Sequence, residues 1–74
     1  GFELIERMAW RPKRVEAALR AMDAGAVEIK TRGGAVDPDA WQKRLSGEGD
    51  QRLTVFVLRD GQRRFALIAR RLIP

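Results

Sequence analysis

The sequence predicts a small two-layer α/β domain with a mixed four-stranded sheet and a C-terminal β-hairpin, in the order β-α-β-α-β-β. Three observations predict it. Apolar residues recur at helical spacing between Val15 and Met22, and a second helical segment opens at Asp37-Pro38. Alternating, β-branched runs precede, separate and follow these two segments. The last two runs are joined by Asp60-Gly61, a strong short-range signal for a two-residue hairpin turn.

Each element has its own local cause. Phe2 to Met8 sets Phe2 and Leu4 against Glu3 in a rough alternation, as a short strand does. Arg11-Pro12 opens the first helix, with proline in the first turn where its missing N–H costs nothing. Val15, Ala18, Leu19 and Met22 then follow at i, i+3, i+4 and i+7 and form one buried face. Glu16 and Arg20 stand four apart on the exposed side, acid first. Gly25, just past the last apolar position, suits a left-handed cap.

Val27 to Lys30 alternates Val and Ile with Glu and Lys, and Gly33-Gly34 ends that strand. Asp37 caps the second helix, Pro38 occupies its first turn, and Asp39 complements the positive end of its dipole. Trp41 and Leu45 form its buried side, Asp39 and Lys43 its exposed side, and Gly47 ends it. Ser46 to Gln51 is a loop.

Leu53 to Arg59 and Arg63 to Arg70 form the hairpin. With Asp60-Gly61 as the turn, Arg59 faces Gln62, Leu58 faces Arg63, Phe56 faces Phe65, and Thr54 faces Leu67. Both faces of Leu53–Leu58 are largely apolar. That strand is therefore central, covered on both sides or set beside another domain. Two helical crossovers make the first three strands parallel when each joins strands of one sheet.

Composition narrows the function. A chain of 74 residues is one domain, with no Cys and no His. Disulfides, thiol nucleophiles, imidazole bases and nearly every zinc site are thereby excluded. No apolar run approaches the ~20 residues of a membrane span, and no signal peptide opens the chain. The expected setting is cytoplasmic. Fifteen Lys and Arg against ten Asp and Glu give a net charge of +5. Such a balance favours polyanions, although an Arg-rich composition also follows from a GC-rich genome.

No catalytic constellation is present. Ser46, Thr31 and Thr54 are the hydroxyls, and none has a base at hand. Asp37 and Asp39 are explained by helix capping. Glu48 and Asp50 lie in a glycine-containing loop and are too few for a calcium cage. No metal or cofactor is expected in this chain.

Binding signals are better represented. Lys30-Thr31-Arg32-Gly33-Gly34 places two cations, a hydroxyl and two flexible amides between a strand and a helix. Phosphate contact and an ordinary glycine turn are both readings of that loop. Arg11, Lys13 and Arg14 crowd the first turn of the first helix, where positive charge opposes the dipole. An anionic partner or a solvated helix end accounts for them. Arg59, Arg63 and Arg64 gather at the hairpin tip, to grip RNA or to discourage edge pairing, and Arg70-Arg71 reads as a solvated tail. Phe56, Phe65 and Trp41 read as core. Trp10 reads as packing, with base stacking or a domain contact as its alternatives.

The run VEIKTRG (Val27 to Gly33), then VDPDAWQKRL (Val36 to Leu45), then the terminal strands, resembles the THUMP-like domain at the carboxyl end of certain bacterial class I S-adenosylmethionine-dependent methyltransferases. RPKRVEAALR before this block and LRDGQRRFALIAR after it extend the resemblance over about residues 10 to 71. The resemblance implies an upstream methyltransferase domain that carries S-adenosylmethionine and the chemistry. It also implies kinship with true THUMP domains, which help RNA-modifying enzymes hold structured RNA. On that basis Lys30, Arg32 and Gly33 are the first RNA-facing candidates, with Arg11, Lys13 and Arg14 beside them. Thr31 stands where the family often has a second basic residue.

Residues 1–74 are accordingly expected to be a single non-catalytic accessory domain cut from a larger enzyme, beginning as they do with Gly1. Its expected partners are RNA and its own N-terminal methyltransferase domain, with no membrane. The alternative is a structural module that docks on the catalytic domain and makes no RNA contact of its own.

Overall fold

A computed structural model describes residues 1–72. The elements are β1 (Phe2–Ala9), α1 (Pro12–Ala21), β2 (Ala24–Thr31), α2 (Pro38–Leu45), β3 (Gln51–Asp60) and β4 (Arg63–Arg71). The four strands form one sheet in the order β1-β4-β3-β2. β4 runs antiparallel to both neighbours, while β2 and β3 are parallel. β1, β2 and β3 therefore point the same way, as the two crossovers require, and β3 is central.

Both helices cover one face. Val15 and Leu19 of α1 and Leu45 of α2 join Val27, Ile29, Leu53, Val55, Val57, Ala66 and Ile68 in one core. Val15, Val55, Val57 and Ile68 are completely buried. Trp10 and Trp41 close the core at one end, edge to face with centroids 5.1 Å apart. Trp10 is buried and serves as packing, whereas Trp41 is only half-buried.

The sheet edges are blunted in two ways. On the β2 edge, Val27 N–H donates to Ser46 Oγ at 3.0 Å and Ile29 N–H reaches Gln42 Oε1 at 3.5 Å. Side chains at the end of α2 thus take the place of a further strand. On the β1 edge, the register shifts between Leu4 and Glu6, so Ile5 is an extra residue that breaks the regular edge.

Three local expectations are corrected. The hairpin turn is Gly61-Gln62, flanked by Asp60 opposite Arg63; Leu58 faces Phe65, Phe56 faces Leu67, and Thr54 faces Ala69. Gly61 has φ +64 and is the first central residue, as a type II′ turn requires. Phe56 and Phe65 are therefore not a direct cross-strand pair; Phe56 meets the ring of Phe2 instead, at 5.1 Å. The slip is two residues, so every side chain keeps its predicted face.

Gly25 is not the helix cap. α1 ends at Ala21, and Asp23 takes the left-handed conformation with φ 59, which Asp tolerates better than most residues. Gly25 instead lies within β2 where the backbone of Gly49 passes too close for any Cβ. Gly47 N–H donates to the Gly25 carbonyl at 2.8 Å and Gly49 N–H to the Ala24 carbonyl at 3.0 Å. The loop after α2 is thereby strapped to the start of β2.

Arg70 and Arg71 are also not a loose tail. They lie within β4, and Arg70 bonds Glu3 at 3.0 Å while Arg71 bonds Glu28 at 3.3 Å.

Candidate nucleic-acid interface

Because β1, β2 and β3 share a direction, their C-terminal ends lie together. That end carries the β1–α1 junction, the β2–α2 loop and the β3–β4 turn. Three basic clusters distant in sequence are thus brought to one end of the domain. They are Arg11, Lys13 and Arg14 on α1; Lys30 and Arg32 around the end of β2; and Arg59, Arg63 and Arg64 beside the hairpin turn. Against them stand Asp37, Asp39 and Asp60, so the excess at this end equals the whole net charge of +5.

These cations are exposed. Among the described residues the ion pairs are Arg20–Glu16, Arg70–Glu3 and Arg71–Glu28, all directed away from this end. Three of the ten acids are thus paired with arginines elsewhere, and no cation of the basic end takes part in an ion pair among the described residues. The two helix N-termini there differ. Asp37 Oδ1 accepts from Asp39 N–H at 3.1 Å and caps α2. At α1 the capping position is Arg11, with no side-chain cap and no acid in the first turn. An anion is opposed at the second terminus and unopposed at the first.

The predicted residues do not all share one surface. Lys30 lies opposite Phe56 in the register, so it points to the sheet face away from the helices. Thr31 lies opposite Val57 and points into the helix layer, where its hydroxyl is buried with no hydrogen-bond partner among the described residues. Its lack of charge leaves the exposed cluster unaltered. Gly33 and Gly34 take φ +72 and +64, and each has open space where a Cβ would stand. The loop needs glycine for its backbone, not for packing.

Sequence reasoning missed the part played by Arg64. Its Nη1 donates to the Ala35 carbonyl at 3.0 Å, and its own carbonyl accepts from Trp10 N–H at 3.0 Å. One residue of the hairpin therefore ties the β2–α2 loop and the β1–α1 junction together. No spacing rule reveals such a long-range clamp. Glu48 and Asp50 gain no metal-binding partners: no group of three or more acids, histidines or cysteines capable of holding an ion occurs among the described residues. None of the described helices is long and apolar enough to cross a membrane.

The chain is thus a small α/β domain with a mixed sheet and a cationic strand end. The chain belongs to the THUMP domain-like family, whose model matches residues 1–71. It is 44% identical over 61 residues to uncharacterized S-adenosylmethionine-dependent methyltransferases of Mycobacterium tuberculosis, from strains CDC 1551 and H37Rv. That match covers 82% of this chain but 17% of each relative's length. No solved structure matches the chain.

Proposed function

We propose that this chain is a non-catalytic accessory domain, C-terminal in a cytoplasmic S-adenosylmethionine-dependent methyltransferase, and that it positions RNA substrate through its basic end. The observation that carries this reading is the convergence of three basic clusters on one end of the sheet. Phosphates would be held by Arg11, Lys13 and Arg14 at the uncapped start of α1 and by Lys30 and Arg32 beside the Gly33 loop. Such contacts set position and orientation and carry little base sequence information. Structured RNA is the fitting substrate class, because it is recognised largely by shape and backbone.

The methyl donor belongs to the rest of the enzyme. The helix after the one Gly-Gly loop is already capped by Asp37, and the surrounding end is cationic, which repels a sulfonium. These residues do not fit S-adenosylmethionine.

The test is a titration of the chain with labelled structured RNA at about 50 and 200 mM salt. Three to four phosphate contacts would weaken binding roughly ten- to a hundredfold across that range. The Lys30→Glu, Arg32→Glu variant should lose both affinity and part of the salt slope. Undiminished binding by that variant moves the interface to Arg11, Lys13 and Arg14. No binding at low salt favours the second reading, a docking module, for which the uncovered sheet face supplies a separate observation.

A further inference from the structure

The sheet face away from the helices is uncovered and apolar at its centre, with Lys30 and Glu28 along its β2 margin. Phe2, Leu4, Phe56, Leu58, Phe65 and Leu67 share it, with Leu4 58% and Phe2 38% exposed. Thr54 and Ala69 beneath them are already buried.

Three observations identify the occupant. The ring surfaces are already engaged: the Arg7 guanidinium lies 4.9 Å from the Phe65 centroid, Arg71 lies 5.3 Å from that of Phe2, and Phe2 and Phe56 meet edge to face. A base-stacking platform needs free ring faces, so nucleic acid is disfavoured here. Phenylalanine and leucine fringed by arginine is instead the make-up of a protein interface core. The face is small. Four strands about 4.8 Å apart and some eight residues long, at ~3.3 Å each, give roughly 500 Å² in projection. Such a face suffices for a domain held in the same polypeptide, where effective concentration does the rest. The methyltransferases similar to this chain are about six times its matched length, which supplies such a body.

We infer that this sheet face packs on the methyltransferase body of the same polypeptide, against an apolar patch whose acidic margin meets Arg7. The inference rests on the accessory-domain half of the reading above; of the candidate phosphate contacts, Lys30 lies on this face. The first turn of α1, with Arg11, Lys13 and Arg14, lies in the other layer and stays outside this contact.

The chain has no cysteine, so single thiols report on each face. Leu4→Cys and Leu58→Cys mark the sheet face, and Ala17→Cys on the exposed side of α1 is the control. Maleimide labelling is followed peptide by peptide in the 74-residue chain and in the full-length polypeptide. Labelling of the two sheet-face thiols should slow about tenfold or more in the full-length protein, with the control unchanged. Equal rates in both settings overturn the inference. Protection in the short chain that grows with its concentration assigns the face to a second copy, and protection that requires RNA assigns it to nucleic acid. Either result overturns the inference too. Calorimetry of the full-length polypeptide with S-adenosylmethionine tests the methyltransferase reading separately, so the two failures are distinguishable.

Discussion

Arg64 reaches from the hairpin to the loop before α2, where its guanidinium donates to the Ala35 carbonyl at 3.0 Å. Its backbone carbonyl accepts from Trp10 N–H at the same distance. Basic residues from three parts of the chain are held in one arrangement by this contact. It makes Arg64 a positioning residue of the basic end.

Arg64→Ala should cost about 1 kcal/mol in urea unfolding, the usual net value of one hydrogen bond at a partly exposed site. Amide exchange across residues 33–36 should quicken. In RNA titration the variant should lose affinity largely through loop disorder, while Lys30→Glu with Arg32→Glu should also lower the salt slope. Arg64→Ala leaving the exchange of residues 33–36 unaltered would remove the clamp from the account.

Two kinds of glycine are required for different reasons, and alanine substitution separates them. Gly25→Ala and Gly49→Ala each set a methyl group against backbone carbonyl atoms that have no freedom to retreat. Each should cost about 2–3 kcal/mol, toward the upper end of overpacking effects. Gly61→Ala meets open space and suffers only from φ +64, for a cost of about 1–2 kcal/mol. Gly61→Asn should recover part of that loss, and no asparagine should rescue position 25. Urea midpoints decide the matter.

Asp37→Ala removes the acceptor for Asp39 N–H and should cost about 1 kcal/mol by urea unfolding. Asp37→Asn should retain most of the stability. Asp39→Ala touches only the dipole and should cost a few tenths of a kcal/mol, near the low end for exposed charges.

Ser46→Ala strips the acceptor from Val27 N–H, which faces the outer edge of β2. A loss of about 1–2 kcal/mol is expected, together with a new tendency to pair edge to edge. Light scattering against concentration checks the second effect. A variant that loses stability yet stays monomeric would show that Gln42 alone protects that edge.

Trp10→Ala should be the most damaging of these changes, at about 3–5 kcal/mol for a buried large ring. Trp41→Ala opens a half-buried site and should cost less. The near-ultraviolet circular dichroism of the indoles should weaken by more than one ring's share in either variant, because the two rings form one edge-to-face pair.

Helix starts, strand positions and side-chain faces were legible because their causes are local. Proline after Arg11 or Asp37, the i, i+3, i+4 spacing of Val15, Ala18 and Leu19, and the alternation of Val27 and Ile29 act within a few residues of themselves. The resemblance in Val27–Gly33 and Val36–Leu45 carried the family membership. Tertiary structure alone decided the rest. A hairpin slip of two residues keeps every face, so pattern could not tell Phe56 opposite Phe65 from Phe56 opposite Leu67. The Gly49 backbone that leaves Gly25 no room for a Cβ lies more than twenty residues away in sequence. Insertion of β4 between β1 and β3 brought Arg64 between the β1–α1 junction and the β2–α2 loop, which it ties together. Those outcomes depend on strand order and loop closure, which are set by contacts between distant segments.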